Sequence, residues 1–393
     1  MNMPSWDVTR RTEMGIRVAV STNVPPPILR AYLAPLAAMP EVSEVIIIRD
    51  RADVSLGPKT RIVSPPRWWP RGLVSKLLTR RVLFWWVGRT LRPTIVMVVH
   101  WFPDGPAMAR WARRLRVPLV AHIIGGRAEL VDGGRRIALS RMPNLFKRLL
   151  QRHQERWLRA AAVITVTGEA TRRWYAALGL PDERVITLRA QIPLVEPGSM
   201  ARVRDVDVVF IGRADRDKRV DRLFQVLSVM SESRRSLTAT IVGVGQSEVE
   251  GTAAFRLARG AMGDRLVLLK RVERVEDILV RSKVLCVTSD TEGRTLAVLE
   301  ALMSGAAVVA TRVGDLGEVV EGSGGGITVP LNLDESVLCA ALATAVRGLL
   351  DDEPRRAAAA DRGRVFVQGV HSFARSQADW KEILNAARVV VRQ

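Results

Sequence analysis

The sequence predicts an α/β protein with two doubly wound domains, because short apolar runs typical of strands alternate with helical patterns in both halves. The strand-like runs of the first half are "GIRVAVST", "EVIIIRD", "TIVMVVH", "PLVAHII" and "AAVITVTG". The alternation restarts with "VDVVFIG" and continues through "LTATIVGVG", "RLVLLK", "VLCVTSD", "AAVVATRVG" and "GITVP". A length of 393 residues fits two domains of ordinary size. In such parallel sheets, ligands bind beyond the carboxyl ends of the strands, so we expect the site in a cleft between the domains.

Composition suggests where the domains begin and end. Residues 1–14 are expected to form a flexible tail, and 15–196 the first Rossmann-like domain. The stretch "LVEPGSMARVRD" contains the proline, glycine and serine typical of a linker. Residues 197–370 then form the second Rossmann-like domain, and the helical pattern over 371–393 is expected to pack back on the first domain.

The net charge of +20 is concentrated in the first half. Residues 1–200 hold 32 Lys and Arg against 14 Asp and Glu, whereas the remainder holds 28 against 26. A basic half indicates an anionic partner, which is a membrane surface, a phosphate-bearing ligand or a nucleic acid. The sequence contains no recognisable DNA- or RNA-binding motif, so we expect no nucleic acid partner.

The two cysteines, Cys286 and Cys339, lie in apolar runs. This placement favours core packing in a reducing compartment over a disulfide or a metal site. The N-terminal stretch "MNMPSWDVTRRTEM" lacks the apolar segment of a signal peptide, and no run of 18 apolar residues occurs. We therefore expect a cytoplasmic protein.

Two glycine-containing turns follow strands of the second half. In "FIGRADRDKRVDRL", Gly212 permits a tight turn, and Arg213 and Lys218 place two cations beside the start of a helix, which suits a diphosphate. A solvated basic turn would explain the same pattern. In "IVGVGQ", Gly243 and Gly245 permit a close backbone approach or merely a turn.

The stretch "SDTEGRTLAVLEALMSG" places two carboxylates around the start of a helix. Glu292 lies in the loop before the helix, and Glu300 lies inside it, about 6 Å along the axis from Leu296. The free N–H groups near Arg294 and Thr295 suit a phosphate or a sugar hydroxyl. One long ligand, with a sugar at one end and a ribose at the other, would use both carboxylates. Two solvated carboxylates are the alternative.

Taken together, these motifs resemble the retaining GT-B glycosyltransferases of family 4. The segment "EGRTLAVLEALMSGAAVVAT" is similar to that family's E-x7-E motif, and "GRADRDKRVDRL" to its G-R-x-x-x-x-K-G region. "GVGQ", "VTSDTEG" and "VGDLGEVVEGSGGGITVP" resemble its later landmarks in order. The first-half segments "PTIVMVVHWFPDGPAMARWARRLRVPLVAHIIGG" and "AAVITVTGEATRRW" resemble its acceptor domain.

The resemblance implies a GT-B fold and roles for the donor side. Arg213 and Lys218 would hold the donor diphosphate, and Glu292 would contact the donor sugar. The remaining donor-binding positions implied by the motifs are Gly243, Arg294, Thr295, Leu296 and Glu300. Of these, Arg294 to Leu296 would hold the sugar and distal phosphate through backbone amides, and Glu300 the ribose.

On the acceptor side, His122 matches a histidine near the reaction centre, and Gly125 and Gly126 follow it. A buried histidine that ends a strand is the alternative for His122. Arg127 stands where the family often has an acidic residue. Arg219 and Lys270 replace glycines usual in the family. These departures concern the identity of the base, sugar and acceptor.

The expected reaction retains the anomeric configuration by front-face attack, with the leaving phosphate taking the acceptor proton. No second carboxylate is placed as a nucleophile, and the cations and helix N-terminus stabilise the diphosphate. Members of the family work without a bound metal, so we expect no cofactor or metal. The pattern Asp205-Val206-Asp207 precedes a strand instead of following one, which disfavours a metal site there.

A Trp- and Arg-rich segment, 65–93, predicts contact with an anionic membrane surface. It carries Trp68, Trp69, Trp85 and Trp86 among repeated cations and is too short and charged to span a bilayer. Residues 144–160 are a second basic amphipathic candidate. An ordinary helix with buried aromatic residues is the alternative.

The family resemblance and the basic first half together predict transfer of a sugar from a nucleotide-diphosphate-sugar to a lipid-linked saccharide. The expected setting is bacterial polysaccharide or glycolipid biosynthesis. The protein would then lie on the inner face of the membrane. A GT-B sugar-nucleotide epimerase or phosphorylase, and a non-catalytic protein that binds an anionic ligand, remain the alternatives.

Overall fold

The computed structural model describes residues 15–66, 73–101, 104–126, 128–131, 143–195, 203–293 and 295–392. Two compact units are present, which we call the N-terminal unit (1–191 with 373–393) and the C-terminal unit (192–372). The division falls after Gln191, a few residues before the expected boundary. The expected tail over 1–14 lies outside the described residues, as does the part of the expected linker over 196–202.

The N-terminal unit contains one parallel sheet. Its strands are β1 (Ile16–Ser21), β2 (Val42–Ile48), β3 (Thr60–Val63), β4 (Ile95–Val99), β5 (Leu119–His122), β6 (Val163–Val166) and β7 (Val185–Thr187). The spatial order is β3-β2-β1-β4-β5-β6-β7. The order of strands reverses between β1 and β4, so the loops after these two strands border a crevice at the carboxyl edge.

The C-terminal unit repeats this architecture with six parallel strands. They are β8 (Val206–Ile211), β9 (Ala239–Val242), β10 (Leu266–Leu269), β11 (Ser282–Val287), β12 (Ala307–Thr311) and β13 (Gly326–Val329). The spatial order is β10-β9-β8-β11-β12-β13. The reversal lies between β8 and β11, and the loops that follow these strands carry several of the predicted site residues.

Helices connect the strands in both units. In chain order they are α1 (Pro26–Ala37), α2 (Leu73–Thr90), α3 (Gly105–Leu115), α4 (Ala128–Val131), α5 (Asn144–Leu158), α6 (Glu169–Ala176), α7 (Val220–Ser233), α8 (Gln246–Val249), α9 (Ala253–Met262), α10 (Glu276–Leu279), α11 (Leu296–Met303), α12 (Leu316–Gly322), α13 (Glu335–Asp351), α14 (Glu353–Val370) and α15 (Phe373–Arg392). Both units bury an apolar core that joins strand and helix side chains. Cys286 and Cys339 lie in the core of the C-terminal unit as free, buried thiols.

The last helix, α15, belongs to the N-terminal unit. Trp380 is 1% exposed, and its indole N–H donates to the carbonyl of Tyr32 in α1 at 2.8 Å. Asp379 pairs with Arg189 at 2.6 Å. Burial of a tryptophan and a hydrogen-bonded ion pair therefore hold the end of the chain against the first half.

The sheets confirm the predicted α/β fold, and each strand-like run quoted above contains a strand. Two further strands, β3 and β7, were not predicted. In β3, "TRIV", only Val63 is buried, and β7, "VIT", has only three residues. Among the described residues, no helix is long and apolar enough to cross a membrane.

Candidate active site

The structure joins two predicted site residues at the reversal point of the C-terminal sheet. Nζ of Lys218, in the loop after β8, lies 2.5 Å from Oε1 of Glu292, in the loop after β11. The Ser289 hydroxyl donates to the same carboxylate oxygen at 2.7 Å. The Glu292 side chain is 9% exposed and that of Lys218 is 23% exposed. A mostly buried, charge-assisted pair of this kind holds both side chains in one geometry.

Hydrogen bonds to backbone carbonyls hold the same two loops together. The Thr288 hydroxyl lies 2.9 Å from the carbonyl of Arg219, and the Asp290 N–H donates to the carbonyl of Asp217 at 2.8 Å. The loop after β12 joins them at Gly314, which has a φ of +53°. A Cβ on Gly314 would lie 1.9 Å from the carbonyl oxygen of Glu292, so only glycine fits there. Gly314 was not predicted as a site residue, although it lies in the landmark "VGDLGEVVEGSGGGITVP".

Arg219 occupies a left-handed backbone conformation, with a φ of 49°. This geometry suits the glycine that the family resemblance implies at this position, because side chains other than glycine are strained there. The Arg219 guanidinium bonds Asp221, Asp290 and Glu335. Arg222, which is 2% exposed, shares Asp290 and Glu335 with it. Hydrogen bonds from Arg222 lower the pKa of Glu335. The two arginines thus fix the turn that presents Lys218.

The other predicted diphosphate ligand, Arg213, is 80% exposed and pairs with Asp215 at 2.5 Å. An exposed pair contributes little to stability and exchanges readily for another anion. Nearby, Gly243 has a φ of +94°, and a Cβ on it would lie 2.5 Å from the carbonyl oxygen of Gly212. Gly243 therefore lets the ends of β8 and β9 approach closely. This close approach is one of the two explanations of the G-x-G pattern that the sequence left open.

Helix α11 begins at Leu296, and Thr295 is its extended N-cap residue, with no side-chain capping bond. Free N–H groups at a helix N-terminus suit an anion or a hydroxyl. Arg294, which was predicted to join them, lies outside the described residues. Further along α11, burial raises the pKa of Glu300 to about 7, and the charge of Glu276 adds to the effect. Glu300 therefore carries a proton for a substantial part of the time near neutral pH.

In the N-terminal unit, His122 ends β5 and is completely buried. Its Nδ1 lies 2.8 Å from the Thr165 hydroxyl, and the Tyr32 ring packs edge-on with centroids 4.4 Å apart. Burial lowers the pKa of His122 to about 3, against a smaller opposing effect of Thr165. Nε2 is buried without a partner in the described part of the chain. His122 is thus neutral at pH 7.

A buried carboxylate fixes the loop that contains the predicted acceptor-side glycines. Glu129, 1% exposed, accepts hydrogen bonds from the N–H groups of Ile124 (2.7 Å), Gly125 (2.5 Å) and Trp101 (2.7 Å). The N–H of Gly125 is therefore occupied by Glu129. Gly126 has a φ of +61°, so its glycine is required by the turn. Sequence reasoning missed Glu129, since nothing local shows that it folds back onto the preceding loop.

The remaining sequence candidates have structural partners. Asp205 pairs with Arg281, and Asp207 pairs with Lys283 at 2.7 Å, so both aspartates of the D-x-D pattern are engaged in ion pairs. Lys270 lies 3.5 Å from Glu248. Within the described ranges, no group of three or more His, Cys, Asp or Glu side chains is arranged to hold a metal ion.

Comparison with known proteins gives a consistent result for both units. Residues 31–189 match the family model described as Glycosyltransferase Family 4, and residues 205–352 match the model described as Glycosyl transferases group 1. A glycogen synthase from Mycobacterium tuberculosis is 27% identical over 306 residues, which covers 77% of this chain and 69% of the relative.

Solved structures with the same fold cover nearly the whole chain. HepE of Anabaena, solved with UDP and glucose, is 14% identical and aligns with a TM-score of 0.70 over 94% of this chain and 99% of its own. WaaG, a glycosyltransferase of lipopolysaccharide biosynthesis, is 15% identical with a TM-score of 0.67 over 95% and 99%. At these identities the likeness concerns the fold.

Both sheets are parallel and Rossmann-like in their strand order, and glycosyltransferase family models match both halves of the chain. These observations define a glycosyltransferase with the GT-B fold. The chain belongs to the group 1, or family 4, glycosyltransferases. The resemblance noted in the sequence is thereby confirmed at the level of fold, family and enzyme class.

Proposed function

We propose that the protein transfers a sugar from a nucleotide-diphosphate-sugar to a lipid-linked saccharide, with retention of anomeric configuration. The observation that carries the proposal is the Lys218–Glu292 pair at the reversal point of the C-terminal sheet, beside the N-terminus of α11. Cations and helix N–H groups suit a diphosphate, and a carboxylate suits sugar hydroxyls. The bound UDP and glucose of HepE support a nucleotide-sugar donor.

In this mechanism the donor diphosphate draws Lys218 away from Glu292. Lys218 and Arg213 then offset the charge that develops on the leaving phosphate, and the first-turn amides at Thr295 and Leu296 add to that effect. Glu292, once released, accepts hydrogen bonds from the sugar. The leaving phosphate takes the acceptor proton, which fits front-face attack and needs no second carboxylate. These chain groups supply the charge stabilisation without a metal in our proposal.

We propose roles for two further residues. Glu300 accepts hydrogen bonds from the ribose hydroxyls, which favour its ionised form. We assign neutral His122 to a hydroxyl of the transferred sugar, because its Nε2 is buried and unpaired within the described residues. Gly126 keeps the loop after β5 in its turn.

The setting we propose is the inner face of a bacterial membrane, in polysaccharide or glycolipid assembly. Helices α2 and α5 carry exposed apolar residues among cations, including Trp85 (58% exposed) and Phe146 (57% exposed). Such surfaces suit a peripheral contact with anionic lipid. The predicted Trp68 and Trp69 lie outside the described residues. WaaG, with a role in lipopolysaccharide biosynthesis, supports this setting by its fold.

The experiment that tests the donor site is a thermal-shift series with UDP, GDP and ADP, each with and without EDTA. A ligand at 100 times its Kd stabilises the folded protein by about 2.7 kcal/mol. We expect a shift with one nucleotide that EDTA does not change. Transfer from the matching sugar nucleotide to a lipid-linked saccharide, followed by NMR of the new anomeric centre, then tests the reaction. An inverted product, or no shift with any nucleotide, contradicts the proposal.

A further inference from the structure

A cavity of about 230 Å³ lies inside the N-terminal unit, among helices α2, α3 and α5. Its lining includes Arg80 and Arg81 from α2, Arg110 from α3 and Gln154 from α5. The roles proposed above for the donor site and His122 do not use any of these four side chains.

Gln154 is the most informative residue of the lining. It is 1% exposed, and neither its amide nitrogen nor its amide oxygen has a hydrogen-bond partner in the described part of the chain. Burying an unpaired amide is costly, and native proteins rarely tolerate it without a reason. A ligand that both accepts and donates a hydrogen bond would satisfy the two atoms. This requirement points to a group with an anionic or carbonyl oxygen next to a hydroxyl.

The charges of the cavity favour an anion. Arg80 is bound to Asp104, which also lines the cavity, and lies 3.3 Å from Asp50. Arg80 is thus shared between two carboxylates, of which only Asp104 lines the cavity. Arg81 and Arg110 add two positive charges to the lining, and the Arg110 guanidinium stacks 4.8 Å above the Trp157 ring. Stacking holds that guanidinium in a fixed position, which suits a phosphate.

The cavity adjoins the carboxyl edge of the N-terminal sheet. Asp104 accepts a hydrogen bond from the Ser21 hydroxyl, at the end of β1, at 2.9 Å. Because the strand order reverses between β1 and β4, this edge is where a doubly wound sheet presents its ligands. A molecule held in the cavity would thus lie beside the edge that also carries His122.

Exposed apolar side chains lie on the same helices at helical spacing from the cavity lining. On α2, Trp85 follows Arg81 by four residues. On α5, Phe146 precedes Leu150 by four residues, which places it on the same face as that lining residue. An amphiphile with its headgroup in the cavity would find apolar surface for its chains along these faces.

We propose that this cavity binds the phosphate headgroup of a membrane lipid whose phosphate carries a polyol. Arg81 and Arg110 hold the phosphate, and the amide of Gln154 donates to a phosphate oxygen and accepts from a polyol hydroxyl. The inference deepens the proposed membrane contact and rests on it: the N-terminal unit would select a headgroup as well as a negative surface.

The test compares vesicles of phosphatidylcholine that contain either phosphatidylglycerol or phosphatidylmethanol at equal mole fraction. Both anionic lipids carry one negative charge, but only phosphatidylglycerol has headgroup hydroxyls. We expect the full chain to co-sediment with phosphatidylglycerol vesicles about tenfold more tightly, which corresponds to one well-made hydrogen bond to a buried group. Glycerol phosphate in solution, tested by calorimetry, is the arm for a free phosphate.

The decisive variant is Gln154→Leu, with Gln151→Leu as its matched control. Gln151 lies in the same helix, does not line the cavity and bonds Glu155 at 2.9 Å. We expect Gln154→Leu to bind the two kinds of vesicle equally while its Tm rises, because the variant removes an unpaired buried amide. Gln151→Leu should keep the wild-type preference. Gln154→Glu, which repels phosphate, gives a second variant should the first fold poorly.

The outcomes of these experiments separate the headgroup site from the proposed membrane contact. Equal wild-type binding to the two anionic vesicles overturns the headgroup site but leaves the proposed membrane contact intact. No wild-type binding to either anionic vesicle at low salt overturns both. Tight binding of glycerol phosphate without a vesicle preference assigns the cavity to a free polyol phosphate and contradicts a lipid. An unchanged preference in Gln154→Leu also overturns the assignment.

Discussion

Nζ of Lys218 lies 2.5 Å from Oε1 of Glu292, so the side chain predicted to bind the phosphate and the side chain predicted to bind the sugar neutralise each other. The loops after β8 and β11 are thereby joined at the point where the strand order of the C-terminal sheet reverses. A donor that binds here has to replace this ion pair with its own contacts. The two residues should therefore respond to substitution in opposite ways.

For the pair itself, we expect Glu292→Gln to retain or tighten binding of the nucleotide diphosphate, because Lys218 is released. Transfer should fall by roughly 10²–10³-fold, the range for loss of one preorganised group at a reaction centre. Lys218→Met should instead weaken nucleotide binding. Calorimetry and initial rates measure the two effects. Glu250→Gln, at an exposed position, serves as the control. Equal loss of nucleotide binding in both site variants would contradict this view.

The left-handed conformation of Arg219 predicts a difference between two small substitutions. Both Arg219→Ala and Arg219→Gly lose the ion pairs, but only alanine keeps the backbone strain. The glycine variant should therefore be more stable by about 1 kcal/mol in urea unfolding. At Arg216, in a short right-handed helical turn, the order should reverse, with alanine the more stable. If the alanine variant is the more stable at both positions, the backbone strain at Arg219 is negligible.

Glu300 predicts a dependence of stability on pH. Its pKa is about 7 in the folded protein against 4.5 as the ordinary value. Between these values the unfolded chain has lost the proton that the folded chain keeps, so stability falls as pH rises and stays lower above pH 7. We expect Glu300→Gln to remove this contribution and to gain stability relative to wild type between pH 5 and pH 8. Urea unfolding at both values measures it, and a parallel pH profile contradicts it.

Glu129 predicts a large loss of stability on removal. Glu129→Ala leaves the N–H groups of Ile124, Gly125 and Trp101 without their acceptor in a buried region. A cost of about 3 kcal/mol or more is expected for breaking such a charged network. Denaturant unfolding checks the magnitude, with Glu183→Ala as an exposed control. Hydrogen exchange at Gly125 should accelerate. A loss below that of the control would mean that water or another group replaces the carboxylate.

Sequence reasoning was most reliable where the signal is local. The run "IVMVV" of β4 is apolar throughout because parallel strands are covered on both faces. The edge strand β3, which contains the exposed Arg61, and the three-residue β7 lack that pattern and were missed. The helix predicted to start after Glu292 and to contain Glu300 is observed over Leu296–Met303, and Gly305 follows its end.

The candidate site depends more on contacts between distant parts of the chain. Lys218 and Glu292 were both predicted, but their pairing across 74 positions was not. The role of Gly314 against the Glu292 carbonyl was missed for the same reason. A single sequence reports which residues can do chemistry, whereas the fold decides which of them meet.

The chain enters and leaves the C-terminal unit at adjacent points, since the N–H of Ile192 donates to the carbonyl of His371 at 3.0 Å. The C-terminal unit is thus inserted into the N-terminal one, whose helix α15 is made only after the whole inserted unit. On a ribosome, the inserted unit has its whole sequence before its host does. Helix α1 therefore reaches its final packing late, because the place of Trp380 against Tyr32 stays empty until α15 arrives.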